Sequence, residues 1–168
     1  DYRSAITAIS QGMEQISDLQ QLADLISDRL FRTLRLEEVC VFISDVKGNY
    51  SVVSVAPQPV QREQSSYTAL PRSSLNYLLH VGGMMERAQL KKALAQTTLS
   101  PEEDRLLNSP QVHLWVPVIG HGRMLGLIAR GPKFGGDEFS TEDLDILRVL
   151  ARQLSPLIEN IHLVTQLR

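Results

Sequence analysis

The chain has 168 residues, 17 basic against 19 acidic side chains for a formal charge of −2, 43% hydrophobic residues and one cysteine. That length fits one domain able to bury a real core without covalent staples. The charge balance argues against a nucleic-acid binder, and a single cysteine excludes an internal disulfide or a multi-cysteine metal site. No apolar run approaches the roughly 18 residues of a membrane span, and no secretory signal peptide is expected. A start at Asp1 rather than methionine leads us to expect a piece excised from a longer protein.

Tyr2, Ile6, Ile9, Met13 and Ile16 repeat at helical spacing and predict a first helix, with Gly12 inside it at a cost of about 1 kcal/mol. Ser17-Asp18 is a helix-capping pair. Leu19, Leu22, Ala23, Leu25, Ile26, Leu30 and Leu34 then form a stripe too wide for solvent. Val39–Ser44 is a β-branched and aromatic run, and Tyr50–Ala56 a second, so a hairpin is predicted around Asp45–Asn49. Pro57 and Pro59 end it. Residues 57–71 read as a loop.

A short helix is predicted from Pro71-Arg72-Ser73-Ser74 to Gly82-Gly83, carrying Leu75, Leu78 and Leu79. Residues 84–99 stay open between strand and helix, with Met84-Met85 as a candidate strand and Gln89–Ala95 as a candidate helix. Ser100-Pro101-Glu102-Glu103 is a helix start, with proline at the first position and acids in the first turn. Val112–Ile119 and Met124–Arg130 predict a second hairpin about the tight turn Gly120–Arg123. Ser140 or Thr141 caps a long last helix. The order of elements implies an α+β fold, an antiparallel sheet with helices on its faces.

Four segments in order resemble the GAF domain, a small sensor module of signalling proteins. They are Val39–Asp45, Val116-Pro117-Val118 followed by Gly120–Ile128, Phe139-Ser140-Thr141-Glu142-Asp143, and Ile158-Glu159-Asn160. The resemblance covers roughly residues 19–160. It implies long N- and C-terminal helices on one face of the sheet and short helices over the other, with a ligand received between the sheet and the short helices. It also implies no catalysis by the domain itself.

Departures from the family patterns bear on cofactors. Cyclic-nucleotide members carry Asn-Lys after the second hairpin, where this chain has Pro132-Lys133, and Leu144 replaces a glutamate. Bilin-binding members need a cysteine beside the pocket, whereas the one cysteine here is Cys40 in the first strand. Methionine sulfoxide-reducing members use several cysteines. Haem ligation by His80 is a lesser alternative to a helix-end polar residue, as is redox sensing by Cys40 to a small buried hydrophobe. No cofactor is therefore expected.

Period-two alternation puts Cys40, Phe42 and Ser44 on one face of their strand, opposite Val39, Val41 and Ile43. The aliphatic face is expected against the long helices and the mixed face against the short ones. The same logic groups His113 with Trp115. The candidate ligand pocket is thus Cys40, Phe42, Ser44, Leu75, Leu78, Leu79, His113 and Trp115. The competing reading is that these side chains simply fill the space. No nucleophile triad, metal set or phosphate-binding loop stands out, since Gly131–Gly136 lacks a Gly-Lys-Ser/Thr ending.

In the last helix, Leu147, Leu154 and Ile161 repeat every seven residues, and Leu150, Leu157 and Val164 follow each by three. With Ile9 and Ile16 in the first helix, this predicts an a/d seam outside the sheet and a homodimer through a helical bundle. Pro156 should kink the last helix. The expectation is a three-part chain: residues 1–18 as a dimerising helix, 19–160 as the sensor, and 161–168 leading to an output domain in cis after Arg168. The expected host is a sensor histidine kinase in the cytoplasm, itself membrane-anchored or not. The expected partner is a small-molecule effector, with no nucleic acid and no membrane contact by this segment. A module without ligand, acting as a dimerisation scaffold, is the alternative.

Overall fold

The structure is a computed structural model that describes residues 1–58, 72–109 and 112–167. The expected loop at 57–71 lies mostly outside them. Helix α1 (Tyr2–Ser10) is capped by Asp1, whose carboxylate accepts from the Arg3 and Ser4 amides. The single helix expected over residues 2–16 is broken. Gly12 takes a left-handed φ of 80°, and Met13–Gln15 forms a separate 3-10 turn. Glycine enters that region without a Cβ clash, so the chain turns there instead of tolerating Gly12 in a helix. The break frees carbonyls, and the Arg29 guanidinium donates to those of Ile9 and Gln11.

Asp18 caps α2 (Leu19–Thr33) through the Gln21 amide. Strands β1 (Val39–Ile43) and β2 (Val52–Ala56) form the first hairpin. The Asp45 carboxylate gathers the Lys47 and Asn49 amides and the Ser51 hydroxyl between them. Next come α3 (Arg72–Val81), β3 (Met85–Glu86), α4 (Arg87–Ala93) and α5 (Pro101–Leu107). The open segment 84–99 thus holds both a short strand and a helix. Strands β4 (Leu114–Gly120) and β5 (Arg123–Arg130) form the second hairpin. Its two-residue loop has positive φ at both His121 (50°) and Gly122 (71°), the twist that suits a hairpin.

The five strands form one antiparallel sheet in the order β2-β1-β5-β4-β3. Alternation along the strands feeds two cores. Val39, Val41 and Ile43 of β1 and Leu114, Val116 and Val118 of β4 pack with α1, α2 and α6 (Thr141–Gln166). Cys40 and Phe42 of β1 and Trp115 of β4 pack with α3, α4 and α5. Each inner strand is therefore shared by two helical layers.

Helix α6 opens on a reciprocal cap between Ser140 and Asp143 and runs through Pro156. Its heptad-spaced residues do not form the outward seam that their spacing suggests. Leu147, Leu150, Leu154 and Ile161 are buried in the chain's own core, as is Ile9 of α1. The sheet and α1 between them cover the broad inner side of α6, so its apolar stripe is used within the molecule. Ile16 and Leu157 are half-buried against the same core. Of the seam only Val164 is left in solvent, 42% exposed, beside Leu163 (59%) and Leu167 (87%).

Candidate functional site

The site expected from the strand alternation lies between the sheet and α3–α5. One row of facing residues crosses four strands: Cys40, Ala129, Trp115 and Met85. Phe42 pairs with Leu127 in the next row on that face. Above them α3 contributes Leu78 and, one turn earlier, Ser74; α4 contributes Leu90; α5 contributes Leu106 and Leu107. The layer is well packed, and Trp115 is fully buried.

Polar atoms interrupt this apolar layer. Trp115 Nε1 and Ser74 Oγ are buried with no hydrogen-bond partner among the described residues. Glu38 Oε1 is a third such atom. Glu38 lies two residues before Cys40, and burial pushes its carboxyl up. Such groups are rare in folded proteins, because each has given up its hydrogen bond to water. Glu103 is buried as well, but its carboxylate accepts from the Ser73 amide at 3.1 Å and so caps α3 from α5.

The eight candidate pocket residues divide unequally. Cys40, Phe42, Leu78 and Trp115 come together, with Leu75 packed against them. Leu79 is half-buried outside this cluster. Ser44 belongs elsewhere: β1 ends at Ile43, the Ser44 hydroxyl donates to the Leu125 carbonyl, and the Ser44 carbonyl lies 2.7 Å from His162 Nε2 of α6. His113 is exposed, because β4 begins one residue later and strand alternation does not extend to it. It opens instead on a separate cavity of about 510 Å³, shared with Arg87, Arg130, Lys133 and Phe139.

At that cavity the Arg130 guanidinium stacks on the Phe139 ring, and Lys133 Nζ lies 2.8 Å from Asp143 Oδ2. Burial raises the Asp143 carboxyl. The Lys133 ammonium and the Ser140 amide and hydroxyl outweigh it and hold the group below the ordinary carboxylate range.

Cys40 is a packing residue. Burial, reinforced by the Glu38 charge, pushes its thiol far up, the reverse of the accessible low-pKa thiol that redox sensing needs. His80 is exposed in the last turn of α3, its ring near Tyr77, and does not enter the layer. Sequence reasoning missed Ser74, Glu38 and Glu103. Glu38 lies one residue before β1, where strand alternation no longer holds, and its charge acting on the Cys40 thiol marks it as a neighbour of that residue. Ser74 precedes Leu78 by one helical turn, and its signal was available in the spacing. That of Glu103 was not, since its partner is thirty residues away.

No curated protein sequence matches the chain. Solved structures do. The GAF domain of a phosphoenolpyruvate-protein phosphotransferase from Coxiella burnetii is 21% identical with a TM-score of 0.69, over 98% of this chain and 96% of that one. Residues 122 to 287 of a methyl-accepting chemotaxis protein are 18% identical with a TM-score of 0.68, over 93% and 98%. A free methionine-R-sulfoxide reductase from Neisseria meningitidis, solved with its substrate, is 13% identical with a TM-score of 0.62, over 98% and 91%. At these identities the likeness establishes the fold alone. The GAF domain family model matches residues 18–158, most of the chain and both helical layers, and the chain belongs to the GAF domain family.

Proposed function

We propose that this GAF domain is the regulatory input module of a larger signal-transduction protein, with a sensor histidine kinase in the cytoplasm as its host. A small effector is received between the sheet and α3–α5. The domain performs no chemistry of its own. The observation that carries the reading is the sharing of β4 between two cores. Trp115 faces the α3–α5 layer, while its neighbours Leu114 and Val116 face the layer of α6. A displacement at the indole is felt by the packing under α6, and α6 runs on past residue 158, where the family match ends. An effector needs only to prefer one of two α6 packings to bias an output. Solved structures from a chemotaxis protein and a bacteriophytochrome share the fold, and this supports the reading.

The test is a thermal-shift screen against metabolites and nucleotides, with fluorescence of the single tryptophan recorded in parallel. An effector at one hundred times its dissociation constant adds about 2.7 kcal/mol, or roughly 5–10 °C for a domain of this size. A hit that also moves Trp115 emission supports the reading. A hit that leaves it unmoved locates the effector elsewhere.

A second reading is a scaffold without ligand that dimerises through the end of α6. It is favoured by the exposed Leu163, Val164 and Leu167 and by the close packing around Trp115. Sedimentation of a Val164→Glu, Leu167→Glu variant decides it. A dimer that becomes a folded monomer supports the scaffold, and an unchanged oligomeric state removes it.

A further inference from the structure

We propose that the effector is an uncharged molecule with an apolar body and a hydrogen-bond acceptor for the Trp115 indole N–H, and that anions are excluded. This rests on the reading that the α3–α5 layer receives the effector. The walls of that layer are apolar: Phe42, Leu78, Leu90, Leu106, Leu107 and Leu127. Cys40 and Ala129, two small side chains, lie in the same row as the indole. Two donors are buried without partners among the described residues, Trp115 Nε1–H and the Ser74 hydroxyl. A carbonyl, ether or ring nitrogen on a neutral molecule satisfies either one.

An anion finds no complement. A buried carboxylate or phosphate is stable only with a paired cation or several converging donors. Of the Lys and Arg side chains on these helices, Arg72, Lys91, Lys92 and Arg105 are exposed, and the half-buried Arg87 of α4 lines the separate cavity of His113. The N-terminus of α3, where a helix would otherwise favour negative charge, is already occupied by the Glu103 carboxylate. Glu38, the other acid of this face, adds an acceptor without a partner, and burial holds its carboxyl up. Two carboxyl groups and no buried cation among the described residues of this layer set the sign of the preference. Gln153 Oε1, another buried atom without a partner, sits on α6 and plays no part.

The chain has one tryptophan, so a ¹⁵N-labelled sample gives a single indole N–H resonance that reports on Trp115 directly. The probes are matched pairs: benzamide and benzoate, nicotinamide and nicotinate, adenosine and adenosine monophosphate. The expected result is that neutral members move the indole resonance and bind at least about tenfold tighter than their anionic partners. Ser74→Ala should weaken the neutral members by about fivefold and leave the fold intact, since it only removes a hydroxyl. Anionic members that move the resonance as strongly as neutral ones overturn the charge preference but keep the effector site. A resonance unmoved by every pair, with Trp115→Phe giving the same thermal-shift response to each probe as the native domain, overturns the effector site itself.

Discussion

The two faces of the sheet are built differently. On one, three helices led by the 15-residue α2 and the 26-residue α6 cover aliphatic side chains. Polar groups buried there are largely paired: Ser27 Oγ lies 2.7 Å from Ser54 Oγ, and His162 Nε2 lies 2.7 Å from the Ser44 carbonyl. On the other face, helices of 10, 7 and 7 residues cover a mixed surface, and Trp115 Nε1 and Ser74 Oγ go without partners. Short helices are marginal alone and are held by what they pack on. The first face is made for stability. The second keeps unsatisfied groups whose satisfaction by a visitor would be felt, as expected where function is placed on less stable elements.

The largest effect should come from cutting into the long-helix face. Leu154→Ala removes a buried side chain between α6 and the sheet and should cost about 3 kcal/mol. Thermal unfolding should then fall by roughly 6–12 °C. A loss under 1 kcal/mol would mean that α6 is not the pillar of this core. Next comes one substitution made on both faces. Ser27→Ala strands the Ser54 hydroxyl and should cost about 1–2 kcal/mol. Ser74→Ala removes a hydroxyl that already lacks a partner, so its unfolding midpoint should match or exceed that of the native domain. Denaturant titration of both variants reads the contrast directly. Equal losses would erase the distinction between the faces.

The architecture was largely legible because it rests on local signals. The strand alternation of Val39–Ile43 separates the two cores unaided, and Asp18, Ser100 and Ser140 mark their helix starts. What failed was non-local. A seven-residue repeat in α6 looks the same whether its cover is a second subunit or the chain's own α1 and sheet, and burial of Ile9 and Leu154 decides for the latter. Gly12 gave a helical pattern but needed a left-handed φ that only the fold imposes. Of the candidate residues, Cys40, Phe42, Leu78 and Trp115 do share one buried layer, as their spacing suggests. Ser44 and His113 were misplaced because each lies one residue beyond the end of its strand.

The smallest effect should appear in the pH dependence, where a carboxyl on each side is shifted in an opposite sense. Asp143, at the head of α6, is held low by Lys133 and Ser140 against the burial that raises it. A depressed folded pKa stabilises the fold above the unfolded value near 4, and that contribution is lost as pH falls through the folded value. Glu38, on the effector side, is raised by burial. Its sign is reversed: its contribution is complete below an unfolded value of about 4.3 and is lost as pH rises through the folded one. Thermal melts from about pH 3 to pH 7 should therefore separate the two variants. Asp143→Asn should destabilise at neutral pH and converge on the native domain in acid. Glu38→Gln should melt above the native domain at neutral pH and likewise converge in acid. If Glu38→Gln instead melts below the native domain at neutral pH, the carboxylate has a stabilising partner in the native fold, and the effector face is as well satisfied as the other.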